Sequence, residues 1–238
     1  MMLFLRSLAF NIVLFGTGVS LGLCSLLIPE KNGQTGVTRM GQLWSRISLR
    51  ALRGICNIDI RIEGREFLPQ SGPALIAAQH QSAFDILVWL TLLPYPAYVL
   101  KQELVNIPVL GATLPKAGFI AVDRAGGAQS LRKMVTDCRK AAAAGRQIVI
   151  FPEGTRVPPG ERGSIQPGIV ALARALKLPV IPAATNSGSH WGKRAFKKYP
   201  GTVTVTLYPP VQGALPREDL IEELEHRYYH GLVDNSVR

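Results

Sequence analysis

Three short stretches of this sequence carry side chains whose types and spacing could do chemistry. The first, His80-Gln81-Ser82-Ala83-Phe84-Asp85, pairs an imidazole with a carboxylate ahead of the apolar run Ile86-Leu87-Val88-Trp89-Leu90. On one continuous helix at about 100° per residue the two side chains would point well apart. His80 is therefore expected in the loop before a helix, with Ser82 as N-cap and Asp85 one turn inside, where the histidine can fold back onto the carboxylate. A carboxylate so placed fixes the imidazole tautomer, stabilises the imidazolium and leaves the other ring nitrogen free to take a proton from an alcohol. The spacing Ser82-x-x-Asp85 is also that of a capping box with no catalytic duty.

The second stretch, Phe151-Pro152-Glu153-Gly154-Thr155-Arg156, follows the apolar residues Gln147 to Ile150. It is expected at the carboxyl end of a strand, where α/β sheets tend to bind ligands. Pro152 and Gly154 shape a turn there. The guanidinium of Arg156 suits phosphate, and Thr155 and the turn amides can add donors. Glu153 repels phosphate, so its expected duties are to hold a basic side chain or to accept from a substrate hydroxyl. The third stretch, Gly118 to Arg124, is an apolar run ending in Asp123-Arg124, which makes Arg124 a second candidate anion ligand. Read plainly, the second stretch is also a tight turn with a surface ion pair, and Asp-Arg is common at strand ends.

The elements that must position these groups are legible in the periodicity. Residues 57–63 alternate, with Ile58, Ile60 and Ile62 on one face, which predicts a half-buried strand. Short apolar runs at 74–78, 97–100, 117–122, 147–151 and 179–184 alternate with helical patterns near 83–92, 128–144 and 167–177. That alternation predicts an α/β domain over residues 57–238, a sheet core flanked by helices. Gly145 reads as the residue closing the Ala-rich helix, and Thr202 to Tyr208 as a late strand. Glu218, Asp219, Glu222, Glu223 and Glu225 read as the solvated face of a final helix.

Residues 1–56 read as membrane-anchoring helices. Ser7 to Pro29 carries no charge and is long enough for the roughly 20 residues of a bilayer-crossing helix. No A-x-A-like site closes it, so it reads as retained. Residues 38–55 place Met40, Leu43, Trp44, Ile47, Ala51 and Ile55 at helical spacing between basic side chains, as an interfacial helix or one packed on the core would, with Gly54 as stop signal. Lys31, Arg39, Arg46, Arg50 and Arg53 against Glu30 predict that the following chain faces the cytosol.

The 238 residues carry 27 Lys and Arg against 16 Asp and Glu, a net charge of +11 that points to acidic partners such as phosphates or anionic lipid. Three scattered cysteines suggest neither a disulfide framework nor a zinc site. The nucleotide-binding G-x-x-x-x-G-K-[ST] loop does not occur. Gly188-Ser189-His190-Trp191-Gly192 has histidine where a nucleophile elbow needs serine, which disfavours an ordinary serine hydrolase. His226 and His230 lack a metalloprotease Glu between them and read as surface residues. Trp191 to Tyr199 interleaves cations and aromatics, suited to anionic head groups, an acidic carrier protein or a plain basic surface loop. No nucleic-acid-binding motif accompanies it.

Together the three stretches resemble the glycerolipid acyltransferase family, which is marked by an H-x-x-x-x-D block and an F-P-E-G-T-R block. Both are complete here, and Gly118 to Arg124, Val180-Ile181-Pro182 and the connection Lys101-Gln102-Glu103-Leu104 with Ile107-Pro108 fall in the family's order across residues 73–185. Gln79 departs from the Asn that many members carry before the histidine. The resemblance implies transfer of a fatty acyl group from a thioester of acyl carrier protein or coenzyme A to the sn-2 hydroxyl of lysophosphatidic acid, giving phosphatidic acid at the inner (cytoplasmic) membrane. His80 would be the base, oriented by Asp85. Arg124 and Arg156, with Gly154, Thr155 and Glu153, would hold the acceptor. No metal, cofactor or acyl-enzyme is implied. Transfer to another lyso-lipid, hydrolysis of the donor, and lipid binding without catalysis are the competing readings.

Overall fold

The computed structural model describes residues 1–29 and 33–229. The opening segment forms two long helices, α1 (Met2–Leu26) and α2 (Gly33–Cys56). The strands are β1 (Ile58–Glu63), β2 (Ala74–Ala78), β3 (Pro96–Lys101), β4 (Ile120–Val122), β5 (Gln147–Ile150), β6 (Val180–Thr185) and β7 (Gly201–Leu207). Between and after them come α3 (Phe84–Leu92), α4 (Leu110–Lys116), α5 (Gly127–Ala143), α6 (Gly168–Leu176), α7 (Ser187–His190) and α8 (Arg217–Tyr229). The strands join one sheet in the order β1-β7-β6-β2-β5-β3-β4, parallel throughout except for the antiparallel β6–β7 pair. The α/β fold expected from the apolar runs is present, each strand within a few residues of its expected place.

β2 and β5 are buried along their whole length, as strands covered by helices on both faces must be. One core joins α1, α2 and α3 to the sheet through Phe10, Leu52, Phe84, Trp89 and Val203. The other joins α5, α6 and α8 to the opposite face through Cys138, Ile169, Leu172, Leu220 and Leu224. Gly145, at φ 73°, closes α5 as expected. Gly54 does not close α2: the helix runs on to Cys56, and Asn57 takes the left-handed conformation instead, at φ 54°. Asn is the non-glycine residue that tolerates this best. The acidic residues of α8 face outward while Leu220, Leu224 and Tyr228 are buried. His226 lies on α8, and His230 lies outside the described residues.

α1 is long and apolar enough to cross a membrane by length and composition. Here it lies along the protein. Phe10 is fully buried, and the Trp44 indole N–H of α2 donates to Leu14 O at 2.9 Å. At its start Phe4 stacks on Phe196 with ring centroids 5.0 Å apart. At its end Lys116 Nζ donates to Leu26 O at 2.9 Å, a cation on the carbonyl-rich end of a helix. The outward face leaves Leu8, Ile12, Phe15, Val19, Leu23 and Leu26 exposed at helical spacing, with the half-exposed Phe4 at its edge. α2 packs between α1 and α3 by small residues, with Gly41 against Leu90 and the Ser45 hydroxyl donating to Leu87 O. Its Arg39, Arg46, Arg50 and Arg53 are exposed.

Candidate active site

Because β2, β3, β4, β5 and β6 run parallel, the residues following each of them emerge at one edge of the sheet. His80 follows β2, Phe151 to Arg156 follow β5, Arg124 follows β4 and Ser187 follows β6. Topology alone therefore gathers groups far apart in sequence.

His80 precedes α3, as the angular reasoning requires, and its Nδ1 lies 2.9 Å from Asp85 Oδ2. The helix begins one residue later than expected, so Ala83 is its N-cap and Asp85 its second residue. The Ser82 hydroxyl still accepts from Phe84 N–H at 3.1 Å, and Asp85 Oδ2 accepts from the N–H groups of Gln81 and Ser82 at 2.8 Å each. Cap and dyad are thus the same structure: the carboxylate that closes the helix start also orients the imidazole. Asp85 Oδ1 accepts from Ser187 Oγ at 2.6 Å. Three N–H and O–H donors besides the imidazole surround the carboxylate, which has only acceptors to offer, so Nδ1–H donates to Asp85 and the lone pair is left on Nε2. Nε2 has no protein partner among the described residues, and the ring stacks on Phe151 with centroids 4.1 Å apart.

Glu153 faces the protein interior. Its Oε2 accepts from the backbone N–H of His80 at 2.7 Å and its Oε1 from the Tyr229 hydroxyl at 2.6 Å. Burial pushes its carboxyl up to about 7, against the lowering effect of those two hydrogen bonds. A basic side chain or a substrate hydroxyl is the partner expected of Glu153 from its sequence setting. Instead, a carboxylate that is 4% exposed splints the histidine turn to the F-P-E-G-T-R turn.

Of the rest of that turn, Phe151 and Pro152 pack inward, Gly154 and Arg156 are partly exposed and Thr155 is exposed. Gly154 takes φ 70°, and the Arg124 guanidinium lies against it, 3.5 Å from where a Cβ would sit. Arg124 is therefore brought to the turn, as expected. Arg156 makes no hydrogen bond or ion pair among the described residues. Burial lowers its pKa, the Asp85 charge raises it and the charge of Arg194 lowers it. Burial likewise lowers that of Arg124, opposed by the Glu103 carboxylate. Both stay charged, since arginine does not lose its proton in proteins. Thr155 is exposed and its hydroxyl accepts from Lys193 Nζ at 3.2 Å.

Gln79, the departure from the family pattern, is buried beneath this edge, where its Oε1 accepts from Thr185 N–H at 3.1 Å. It braces β2 against β6 and does not face the opening. Two residues of the site carry no mark in the sequence. Ser187 follows the Val180-Ile181-Pro182 block, but nothing in its type singles it out. Tyr229 lies within α8, where the histidines are the residues of recognisable chemistry. An imidazole base with one free nitrogen, beside unpaired guanidinium groups, can deprotonate a hydroxyl on a molecule held by its anionic group.

Comparison with known proteins agrees with this chemistry. Residues 59–186, more than half of the chain, match the family described as Acyltransferase. A 1-acyl-sn-glycerol-3-phosphate acyltransferase of Pseudomonas aeruginosa is 34% identical over 78% of this chain and 72% of its own length. One from Limnanthes douglasii is 31% identical over 73% of this chain, which spans 62% of that relative. The crystal structure of the 1-acyl-sn-glycerophosphate acyltransferase of Thermotoga maritima shares the fold, with a TM-score of 0.75, 21% identity, and coverage of 98% of this chain and 99% of that one.

Proposed function

This chain belongs to the glycerolipid acyltransferase family, and we propose that it transfers a fatty acyl group from a thioester to the sn-2 hydroxyl of lysophosphatidic acid, producing phosphatidic acid. The single observation that carries this reading is the His80–Asp85 pair at 2.9 Å, with Nε2 unpartnered among the described residues and Arg156 close enough to feel the Asp85 charge. In the reaction, Nε2 takes the hydroxyl proton as the oxygen attacks the thioester carbonyl. The C–O bond forms, the C–S bond breaks, and the departing thiolate takes the proton from the imidazolium. Arg124 and Arg156 hold the acceptor phosphate. His80, Asp85, Arg124, Arg156 and Thr155 are the residues we assign to the reacting side, with Gly154 permitting close approach and Glu153 supporting from below.

The acceptor and product reside in membranes, and α1 fits that role without spanning. A helix packed on the protein near both ends presents its exposed stripe to one leaflet, with the exposed arginines of α2 beside it. Residues 1–56 are thus the membrane-facing element of the enzyme, with residues 57–238 on the cytosolic side, where thioester donors are made. Deleting α1 would remove Phe10 and Leu14 from the core, a loss of several kcal/mol. Ile12→Asp with Phe15→Asp instead alters only exposed positions, and should abolish cosedimentation with phosphatidylglycerol vesicles while leaving the fold intact. Undiminished cosedimentation would refute the interfacial reading.

The reaction is tested by offering the purified protein lysophosphatidic acid with acyl carrier protein or coenzyme A thioesters and following phosphatidic acid. Product from the parent establishes it. Acyl transfer only to other lyso-lipids reassigns the acceptor, and acyl release without an alcohol makes the protein a hydrolase.

A further inference from the structure

The loop from Trp191 to Tyr199 is held in place at several points, yet its tip charges make no ion pair with an acid among the described residues. At its neck Tyr199 N–H donates to His190 O at 2.8 Å, and Trp191 is buried edge-on against Phe10. Lys198, 2% exposed, donates from Nζ to Asn11 Oδ1 at 2.6 Å and to Phe196 O at 2.8 Å, among the rings of Phe10, Trp191 and Phe196. At its tip Ala195 N–H donates to Gly192 O at 3.1 Å, so Lys193 and Arg194 occupy the two central positions of a tight turn.

Arg194 adopts φ 57° there, a conformation that favours glycine and that long side chains avoid. Its charge is felt by Arg156, and Lys193 reaches Thr155. Among the described residues no carboxylate lies within ion-pair distance of Lys193, Arg194, Arg156 or Arg124. Like charges drawn together at a strained turn, with no carboxylate paired to them among the described residues, are unfavourable until an anion arrives. The same loop places Phe196 against Phe4 of the exposed apolar helix, so its cations stand where a lipid head group would enter.

We propose that Lys193 and Arg194 complete the phosphate site begun by Arg156 and Thr155, so that the acceptor's phosphate is gripped between the catalytic turn and this loop. The inference rests on the acceptor reading above, and it adds to that reading a pair of residues that lie outside every family block. A phosphate could also come from the donor, since coenzyme A carries several.

The test is equilibrium binding without any thioester, comparing the parent with Lys193→Ala/Arg194→Ala. The probes are lauroyl lysophosphatidic acid and monolauroylglycerol in neutral phosphatidylcholine vesicles, and free coenzyme A. Removing one charge-assisted hydrogen bond to the phosphate should weaken binding by about tenfold or more. Affinity for lysophosphatidic acid should therefore fall steeply, with monolauroylglycerol and coenzyme A unaffected. Weakening of coenzyme A alone would move the site to the donor and overturn the proposal, as would equal lysophosphatidic acid affinity in both proteins. Arg194→Gly supplies a second readout: relief of the strained φ should raise the melting temperature while affinity for lysophosphatidic acid drops. A melting temperature unchanged or lowered, with affinity retained, would also overturn it. Because no transfer is measured, these outcomes are separate from failure of the parent to make phosphatidic acid.

Discussion

Asp85 and Arg156 lie at the same sheet edge, close enough for the charge of one to be felt by the other, yet their polar atoms are treated in opposite ways. Both carboxylate oxygens of Asp85 are occupied, by His80, two backbone N–H groups and Ser187. The guanidinium of Arg156, like that of Arg124, has no hydrogen-bond partner among the described residues. The difference separates two tasks. A base must be in the correct tautomer before substrate arrives, so its supports are built in. A phosphate grip must have donors to give, and donors already satisfied by the protein would bind nothing.

Breaking the preorganised half should have the larger effect. His80→Ala removes the base itself, and transfer should fall by roughly 10²–10⁴-fold, while vesicle binding is kept because α1 is untouched. Activity within a few-fold of the parent in a well-folded variant would sink the assigned base. On the receptive half, Arg156→Lys keeps the charge and loses the planar fork. It should raise KM for lysophosphatidic acid by about tenfold with a smaller change in kcat. A drop in kcat at constant KM would place Arg156 at the reacting centre instead.

Ser187 sharpens the contrast, since it acts on the chemistry only through Asp85 and His80. Ser187→Ala leaves Asp85 Oδ1 buried without the donor it has among the described residues, which costs about 1–3 kcal/mol of stability. It should lower kcat several-fold and shift the pH dependence of kcat, as the orientation of His80 is loosened. A stability loss with an unaltered pH profile would reduce Ser187 to a packing role.

The strands and the dyad are legible in the sequence because they rest on local rules. Period-two and continuous apolar runs mark strands buried on one or both faces, and the impossibility of facing His80 to Asp85 along one helix forces the histidine into the loop. What is not legible depends on which residues meet across the fold. Ser187 reaches Asp85 from the end of β6, and Tyr229 reaches Glu153 from α8, contacts that no spacing encodes. α4 leaves no clear pattern because Pro115 lies inside it and it spans barely two turns. The end of α2 differs from expectation because Gly54 is the usual stop signal, whereas the helix stops where Asn57 must turn into β1. Length and hydropathy do not decide whether α1 crosses or lies flat, since only tertiary contacts show Phe10 in the core.

Glu153 offers the smallest and most specific test, because it supports His80 through the backbone N–H and not through the imidazole. Its carboxyl is raised from the ordinary value to about 7 by burial. A carboxyl whose folded value is raised favours the fold while protonated, so its contribution is full below about pH 4.5 and is lost as pH rises through about 7. The span of that loss is on the order of 3 kcal/mol. Glu153→Gln does not ionise. One amide oxygen can accept from His80 N–H, and the Tyr229 hydroxyl can turn to accept from the amide while donating to Gly163 O, which lies 3.3 Å away. The variant should therefore lack this part of the parent's decline in melting temperature between pH 5 and pH 8, and lose only a few-fold in activity at neutral pH. Identical pH slopes in the two proteins would show that Glu153 is not the buried titrating group, and a collapse of activity to the level of His80→Ala would move it from the scaffold into the chemistry.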